Sequence, residues 1–136
     1  MPDKFEFILP WPYKSLNPNA RVHYAKRAQK AEIYRYTCRL LALETIQKGG
    51  YELQPLRDLV ESGQQIHVFL DFYPPNRRPR DDDNIIAAFK SGRDGLADAL
   101  QIDDQHFRTH PYLHRDEIVR PGGEVRVVVT GNGPEA

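Results

Sequence analysis

Residues 65–100 read QIHVFLDFYPPNRRPRDDDNIIAAFKSGRDGLADAL, and the hydrophobic period changes midway through them. Up to Tyr73 the apolar residues alternate. Ile66, Val68, Leu70 and Phe72 fall on one face, the pattern of a half-buried strand. Pro74-Pro75 ends that strand, because proline brings no amide to a ladder. From about Asn84 to Leu100, Ile85, Phe89, Gly92, Leu96 and Leu100 recur at three- and four-residue steps, which predicts a helix. Strand, charged breaker and helix within one short stretch put the chain in the α+β class.

The flanks extend this pattern. Lys4 to Leu9 alternates with Phe5, Phe7 and Leu9 on one side and predicts a strand ended by Pro10. Pro10 to Asn19 holds three prolines and two asparagines and reads as a loop. Tyr24 to about Lys48 predicts a long helix with Tyr24, Ala28, Ala31, Tyr34, Cys38, Leu41 and Thr45 as its buried stripe, and Gly49-Gly50 as its stop. After Asp104 a strand is expected, limited by Pro111 to an edge or a break. Pro121-Gly122-Gly123 is a turn, Glu124 to Thr130 a last strand with Val125, Val127 and Val129 inward, and residues 131–136 a loose tail. The expectation is a single domain over residues 1–136, with a small mixed sheet of about four strands and two main helices on one face.

With 136 residues, 40% hydrophobic and 28% charged, the chain has the composition of an ordinary soluble domain. No apolar run approaches the roughly 18 residues of a membrane span, so no membrane partner is expected. The opening MPDKFEFILPWP lacks a basic region followed by an apolar stretch, and no signal peptide is expected. Cys38 is the sole cysteine, which excludes an internal disulfide and a two-thiolate zinc site and points to a reducing, cytoplasmic home. Nineteen basic residues balance nineteen acidic ones, so no general basic coat for nucleic acid is present. Distribution matters more than the sum. Arg77, Arg78 and Arg80 run directly into Asp81, Asp82 and Asp83, a segregation suited to a site that holds a metal and a phosphate together.

In an extended chain entering a helix, Asp81 and Asp83 share a side and Asp82 points away. Asp83 or Asn84 is also a natural helix cap, and capping accounts for one aspartate, though not for three after three arginines. Mg²⁺ takes few protein carboxylates and fills its shell with water and phosphate oxygens, so two carboxylates on one face suit it. A third, from Asp103-Asp104 just past the second helix, would allow two ions. Lys90 lies seven residues after Asp83 on the same helix face and can lean toward the carboxylates, where it would stabilise charge on a phosphate. The competing account pairs it with Asp94 at i,i+4 on the surface. His106, His110 and His114 would spread over roughly 26 Å on a strand and read as surface or groove residues, not as a metal cluster. Trp11 between Pro10 and Pro12 reads as an anchor for its loop.

Together these segments resemble the RusA-type crossover junction endodeoxyribonucleases, the Holliday junction resolvases of bacteria and prophages. LPWPYKSLNPNARVH (residues 9–23) is similar to the family's opening signature, RPRDDDN (78–84) to its basic run and D-x-D-N motif, and DALQIDDQHF (98–107) to the segment ending in paired aspartates. The likeness runs from Phe7 to about Thr130. It implies a homodimeric α+β fold that nicks four-way DNA junctions symmetrically with Mg²⁺ or Mn²⁺, in DNA recombination and repair, and a cytoplasmic, nucleoid-associated protein. By the same resemblance Asp81, Asp83 and Asp104 are the catalytic metal ligands, with Asp104 rather than Asp103 in register. The family's lysine, four residues after the second motif aspartate, is Ala87 here, and Lys90 stands one turn on as its replacement. The expected chemistry is phosphodiester hydrolysis by metal-activated water. Arg77, Arg78 and Arg80 would hold phosphates, with Lys14, Arg21, Lys26 and Arg27 as outer DNA contacts or, in the plainer account, solvated charges. Paired cuts need two sites about a dimer axis, for which the strand edges or the Tyr-rich first helix are candidates. The alternatives are a non-catalytic DNA-structure binding protein and a metal-dependent phosphohydrolase of small phosphoesters.

Overall fold

The computed structural model describes residues 4–133. Strand β1 (Lys4–Pro10) leads through a short 3-10 turn (Lys14–Leu16) to helix α1 (Tyr24–Gly49) and helix α2 (Gln54–Glu61). Then come β2 (Ile66–Tyr73), α3 (Asp82–Ala88), α4 (Lys90–Leu100), a 3-10 turn (Asp104–His106), β3 (Phe107–Leu113) and β4 (Glu124–Thr130). The sheet order is β1-β4-β2-β3. β4 runs antiparallel to both neighbours, and β2 and β3 run parallel. A parallel pair needs a long crossover, and α3 with α4 supplies it. β3, carrying Pro111, lies at the sheet edge as its proline requires.

The mixed sheet buries one face. Phe5, Phe7 and Leu9, then Ile66, Val68, Leu70 and Phe72, then Val125, Val127 and Val129 all point into the core against the helices. Their register places Phe7 and Leu70 on either side of Val127. Each such side chain stabilises the fold by about 1.5–3 kcal/mol before the entropy of ordering is subtracted. Among the described residues no helix is long and apolar enough to cross a membrane. Of the tail expected to be loose, residues 134–136 lie outside the described residues.

The structure departs from the sequence expectation in four places. The α1 stripe is narrower, with Tyr34, Cys38 and Ala42 buried, whereas Tyr24 is 80% exposed and Leu41 36%. The cause is that α1 packs chiefly on α4, with lesser contacts to β1 and the Lys14–Leu16 turn, and its remaining faces meet solvent. Helix α2 was not expected; its brevity hid its period, although Pro55 sits in its first turn and Leu56 is fully buried. The single helix expected over 84–100 is two, joined at Phe89. α3 lies toward β3 and α4 against α1, so one straight rod cannot serve both contacts. Finally, the helix begins at Asp82, so its cap is Asp81 and not Asp83 or Asn84.

Two glycines set how closely α4 approaches α1. A methyl group on Gly92 would meet the Tyr34 ring at 2.7 Å, and one on Gly95 would meet the Arg35 carbonyl oxygen at 2.3 Å. At the rim of this contact Arg35 grips Asp98 with two hydrogen bonds, of 2.7 and 2.9 Å. Deeper in, the Tyr34 hydroxyl donates to the Pro10 carbonyl at 2.5 Å, tying α1 to the end of β1.

Candidate functional site

The loop from Pro74 to Arg80 is braced by one arginine. Arg80 donates to the Asn76 carbonyl (2.8 Å), the Asn76 side-chain oxygen (2.7 Å) and the Arg78 carbonyl (3.0 Å). Its guanidinium also lies over the Trp11 ring, 5.4 Å from the centroid. Trp11 in turn meets Phe72 edge to face at 6.3 Å, so it anchors its loop to the core as its prolines suggested. The N-terminal loop and the arginine run, far apart in sequence, therefore face each other. Between them lies a cleft of about 410 Å³, lined by Trp11, Tyr13, Lys14, Arg78, Arg80 and Ile85 among others. Arg77 lines a smaller neighbouring cleft of about 130 Å³ with Arg115 and Asp116. Burial, and then the neighbouring Arg78, lower the Arg80 pKa from its ordinary value.

The three aspartates that follow take three different roles. Asp81 is extended and caps α3, its carboxylate accepting from the Asp83 amide at 2.9 Å. Asp82 forms an ion pair with Arg115, which also donates to the Arg80 carbonyl at 2.8 Å. Asp83 is exposed in the first turn of α3. All three sit at the N-terminal end of α3.

The second acidic group lies beyond α4. Asp103 caps the 3-10 turn by accepting from the Gln105 amide at 2.9 Å. Asp104 instead meets Arg93 of α4, with 3.3 Å between Nη2 and Oδ2. Lys90, at the start of α4, is 3.5 Å from Asp94 with its side chain 69% exposed, the i,i+4 pair weighed from the sequence. Lys90, Asp94, Asp98, Asp103 and Asp104 line one open cleft of about 520 Å³.

Lys90 and Asp104 are thus brought to one cleft, while Asp81 and Asp83 are not among its lining residues. Among the described residues no three histidine, cysteine, aspartate or glutamate side chains form a group fit to hold a metal ion. Asp81, Asp83 and Asp104 therefore do not make a complete ligand set within the isolated chain. Of the outer cations, Lys14 lines the large basic cleft. Arg21 and Lys26 are exposed, and Arg27 braces its own loop by donating to the Ala20 carbonyl at 2.6 Å. Lys14, Arg77, Arg78 and Arg80 have no carboxylate partner among the described residues.

The sheet face turned away from the helices carries His67, Asp71 and Tyr73, which the sequence reading left without a role, beside His110 and His114, which it read as surface or groove residues. His67 and His110 stand 2.9 Å apart, Nδ1 to Nε2, on adjacent strands. Beside them His114 bonds Asp71 through Nε2 at 2.8 Å and stacks on Tyr73 at 4.3 Å. Arg126 covers the same Tyr73 ring at 4.2 Å. His110 and His114 are therefore paired, half-buried groups and not free surface histidines. The available signal was the outward register of β2, where His67, Phe69, Asp71 and Tyr73 alternate with the core residues. Cys38 is buried and burial pushes its thiol up to about 12, so it is inert as a nucleophile at neutral pH.

No family model matches the chain. It is 41% identical over 123 residues to a protein of Xylella fastidiosa (strain Temecula1 / ATCC 700964) described as an uncharacterized protein, across 90% of this chain and 74% of that relative.

Proposed function

The chain belongs to one family with that Xylella fastidiosa protein, and from this premise and the site's own geometry we propose that it is a RusA-type endodeoxyribonuclease acting on branched DNA. The relative's description carries no activity, so the proposal stands on chemistry. One observation supports it above the others: the charge boundary at Arg80–Asp81. On one side, Lys14, Arg77, Arg78 and Arg80 face clefts without a carboxylate partner among the described residues. On the other, Asp81, Asp82 and Asp83 gather at a helix N-terminus. Unpaired cations next to carboxylates suit a phosphodiester whose backbone is gripped beside the bond to be cut.

In this reading Arg78 and Lys14 bind backbone phosphates, Arg80 braces their loop, and Asp81, Asp83 and Asp104 are the carboxylates of the reaction with Lys90 beside Asp104. Mg²⁺, or Mn²⁺ in its place, is the proposed ion, and when bound it would supply a water acidified for attack. Because Mg²⁺ completes its shell with water and phosphate oxygens, the DNA-bound protein is the state in which its ligands are to be tested. A homodimer, placed in the cytoplasm with bacterial or prophage DNA, matches the two-fold symmetry of a four-way junction.

The test is a synthetic four-way junction incubated with Mg²⁺, alongside plain duplex. Cleavage of the junction, lost in Asp83→Asn while binding persists, is the expected result. A specific observation favours one rival, a DNA-structure binding module: Asp81 serves as a cap and Asp104 as the partner of Arg93. Junction strands that stay intact in both Mg²⁺ and Mn²⁺ while the complex forms would put that rival ahead. Turnover of small phosphoesters without DNA cleavage would instead favour a phosphohydrolase.

A further inference from the structure

The cleft between the N-terminal loop and the arginine run differs in character from the acidic cleft beyond α4. None of its fourteen lining residues is acidic, in a chain with nineteen aspartates and glutamates. Its rim carries Lys14, Arg78 and Arg80, while its walls include the apolar surfaces of Trp11, Pro75, Ile85 and Ala88. Asn17, Asn19 and Asn76 add amide groups able to donate and accept. At about 410 Å³ it falls in the size range of small-ligand sites. A narrow stripe of cations would be enough to hold a duplex backbone, which needs no apolar recess behind it. An unpaired nucleotide needs both, since its base seeks an apolar surface and its phosphate a cation.

We propose that this cleft is a pocket for one unpaired nucleotide of single-stranded or branched DNA, the base against Trp11, Ile85 and Ala88 and the phosphate on Lys14 and Arg78. The pocket rests on the DNA-binding part of the function proposed above, though not on cleavage. It would hold a nucleotide displaced at a branch point and so add selection for branched over continuous DNA. Arg80 acts as a positioning residue. Its three hydrogen bonds to the 76–78 backbone and side chain hold the loop, and its guanidinium covers the Trp11 ring.

Trp11 is the only tryptophan of the chain, so its emission reports this cleft alone. The experiment titrates the full chain with a thymidine tetranucleotide, free thymidine, inorganic phosphate and a blunt duplex, following Trp11 fluorescence. Saturable quenching by the tetranucleotide is expected, with little response to phosphate or duplex at equal concentration and weaker response to thymidine. Lys14→Ala with Arg78→Ala, two surface changes distant from the core, should weaken the tetranucleotide by about tenfold. Quenching equal for duplex and tetranucleotide, or affinity unchanged in the double variant, would overturn the pocket. A gel-shift with a four-way junction separates the two proposals. Junction binding without a Trp11 response refutes the pocket alone, whereas Trp11 quenching without junction cleavage upholds the pocket and refutes the nuclease.

Discussion

Arg93 holds Asp104. Its Nη2 stands 3.3 Å from Oδ2 across the turn that follows α4, with both side chains about one-third exposed (32% and 30%). The pair fixes the one carboxylate of the Asp103–Asp104 step that is not spent on capping a turn. Arg93→Ala is expected to lower stability by only ~1 kcal/mol in urea unfolding, since a pair this accessible is screened by water. Asp104→Asn is expected to slow single-turnover junction cleavage by about a hundredfold with the fold intact. Wild-type cleavage by Asp104→Asn would reduce that carboxylate to an ion-pair partner.

Lys90 is the site residue on which geometry and resemblance disagree most. Its ammonium sits on Asp94 and is largely exposed, so Lys90→Ala should move stability by under about 0.5 kcal/mol. If the lysine acts on the scissile phosphate, the same variant slows cleavage by about a hundredfold. An unchanged rate would leave it as the surface partner of Asp94 and nothing more.

Gly95→Ala tests the packing of α4 on α1. The added methyl would meet the Arg35 carbonyl oxygen at 2.3 Å, and backbone cannot swing aside as a side chain can. A loss of about 1–3 kcal/mol in chemical denaturation is expected. An unmoved midpoint would mean that the two helices sit further apart.

The His67–His110 pair makes stability depend on pH. Burial, then the neighbouring His67 and Arg108, lower the His110 pKa from 6.5. The unfolded chain therefore takes up this proton at a higher pH than the folded one does. The contribution is complete above about pH 6.5 and is lost as the pH falls through the lowered folded value. Melting temperatures measured from pH 7.5 to 5 should fall more steeply for the wild type than for His110→Gln. Parallel curves would show that the pair is uncoupled from folding.

Ile33, Tyr36, Leu40 and Leu43 project from the outer side of α1 at three- and four-residue steps, and all are exposed in the single chain. That spacing suits a helix-pairing seam, and we propose the Tyr-rich helix as the interface of the proposed homodimer. Leu40→Glu is expected to convert a dimer to a monomer in sedimentation velocity while leaving the helix content by circular dichroism unchanged. Dimers that survive this substitution would move the interface to the free edge of β1, where Ile8 is exposed.

Where one face of an element meets the core, its period was readable in the sequence. The alternation of β1, β2 and β4 and the Ile85–Phe89–Gly92–Leu96–Leu100 stripe are buried as read. Where an element meets its neighbours over a narrow strip, the period blurred. Tyr24 and Leu41 of α1 satisfied the spacing and are nonetheless exposed, because α4 contacts only a strip of that helix. In the candidate site, the run of charge at residues 77–83 was evident, and so were the separate candidates Lys14, Lys90 and Asp104. Their grouping was not, because it depends on contacts between segments far apart in the chain, such as Trp11 with Arg80.

By itself, then, the sequence determined the α+β class, the alternating strands β1, β2 and β4 and the abrupt boundary from arginine to aspartate, all of which follow from local period and covalent adjacency. Only the tertiary structure decided which charges answer which. It seated Arg80 on Trp11, Arg115 on Asp82, Arg93 on Asp104 and His114 on Asp71. Ion pairs and hydrogen bonds act over a few ångströms in space, and distance along the chain carries almost no information about which partners will meet.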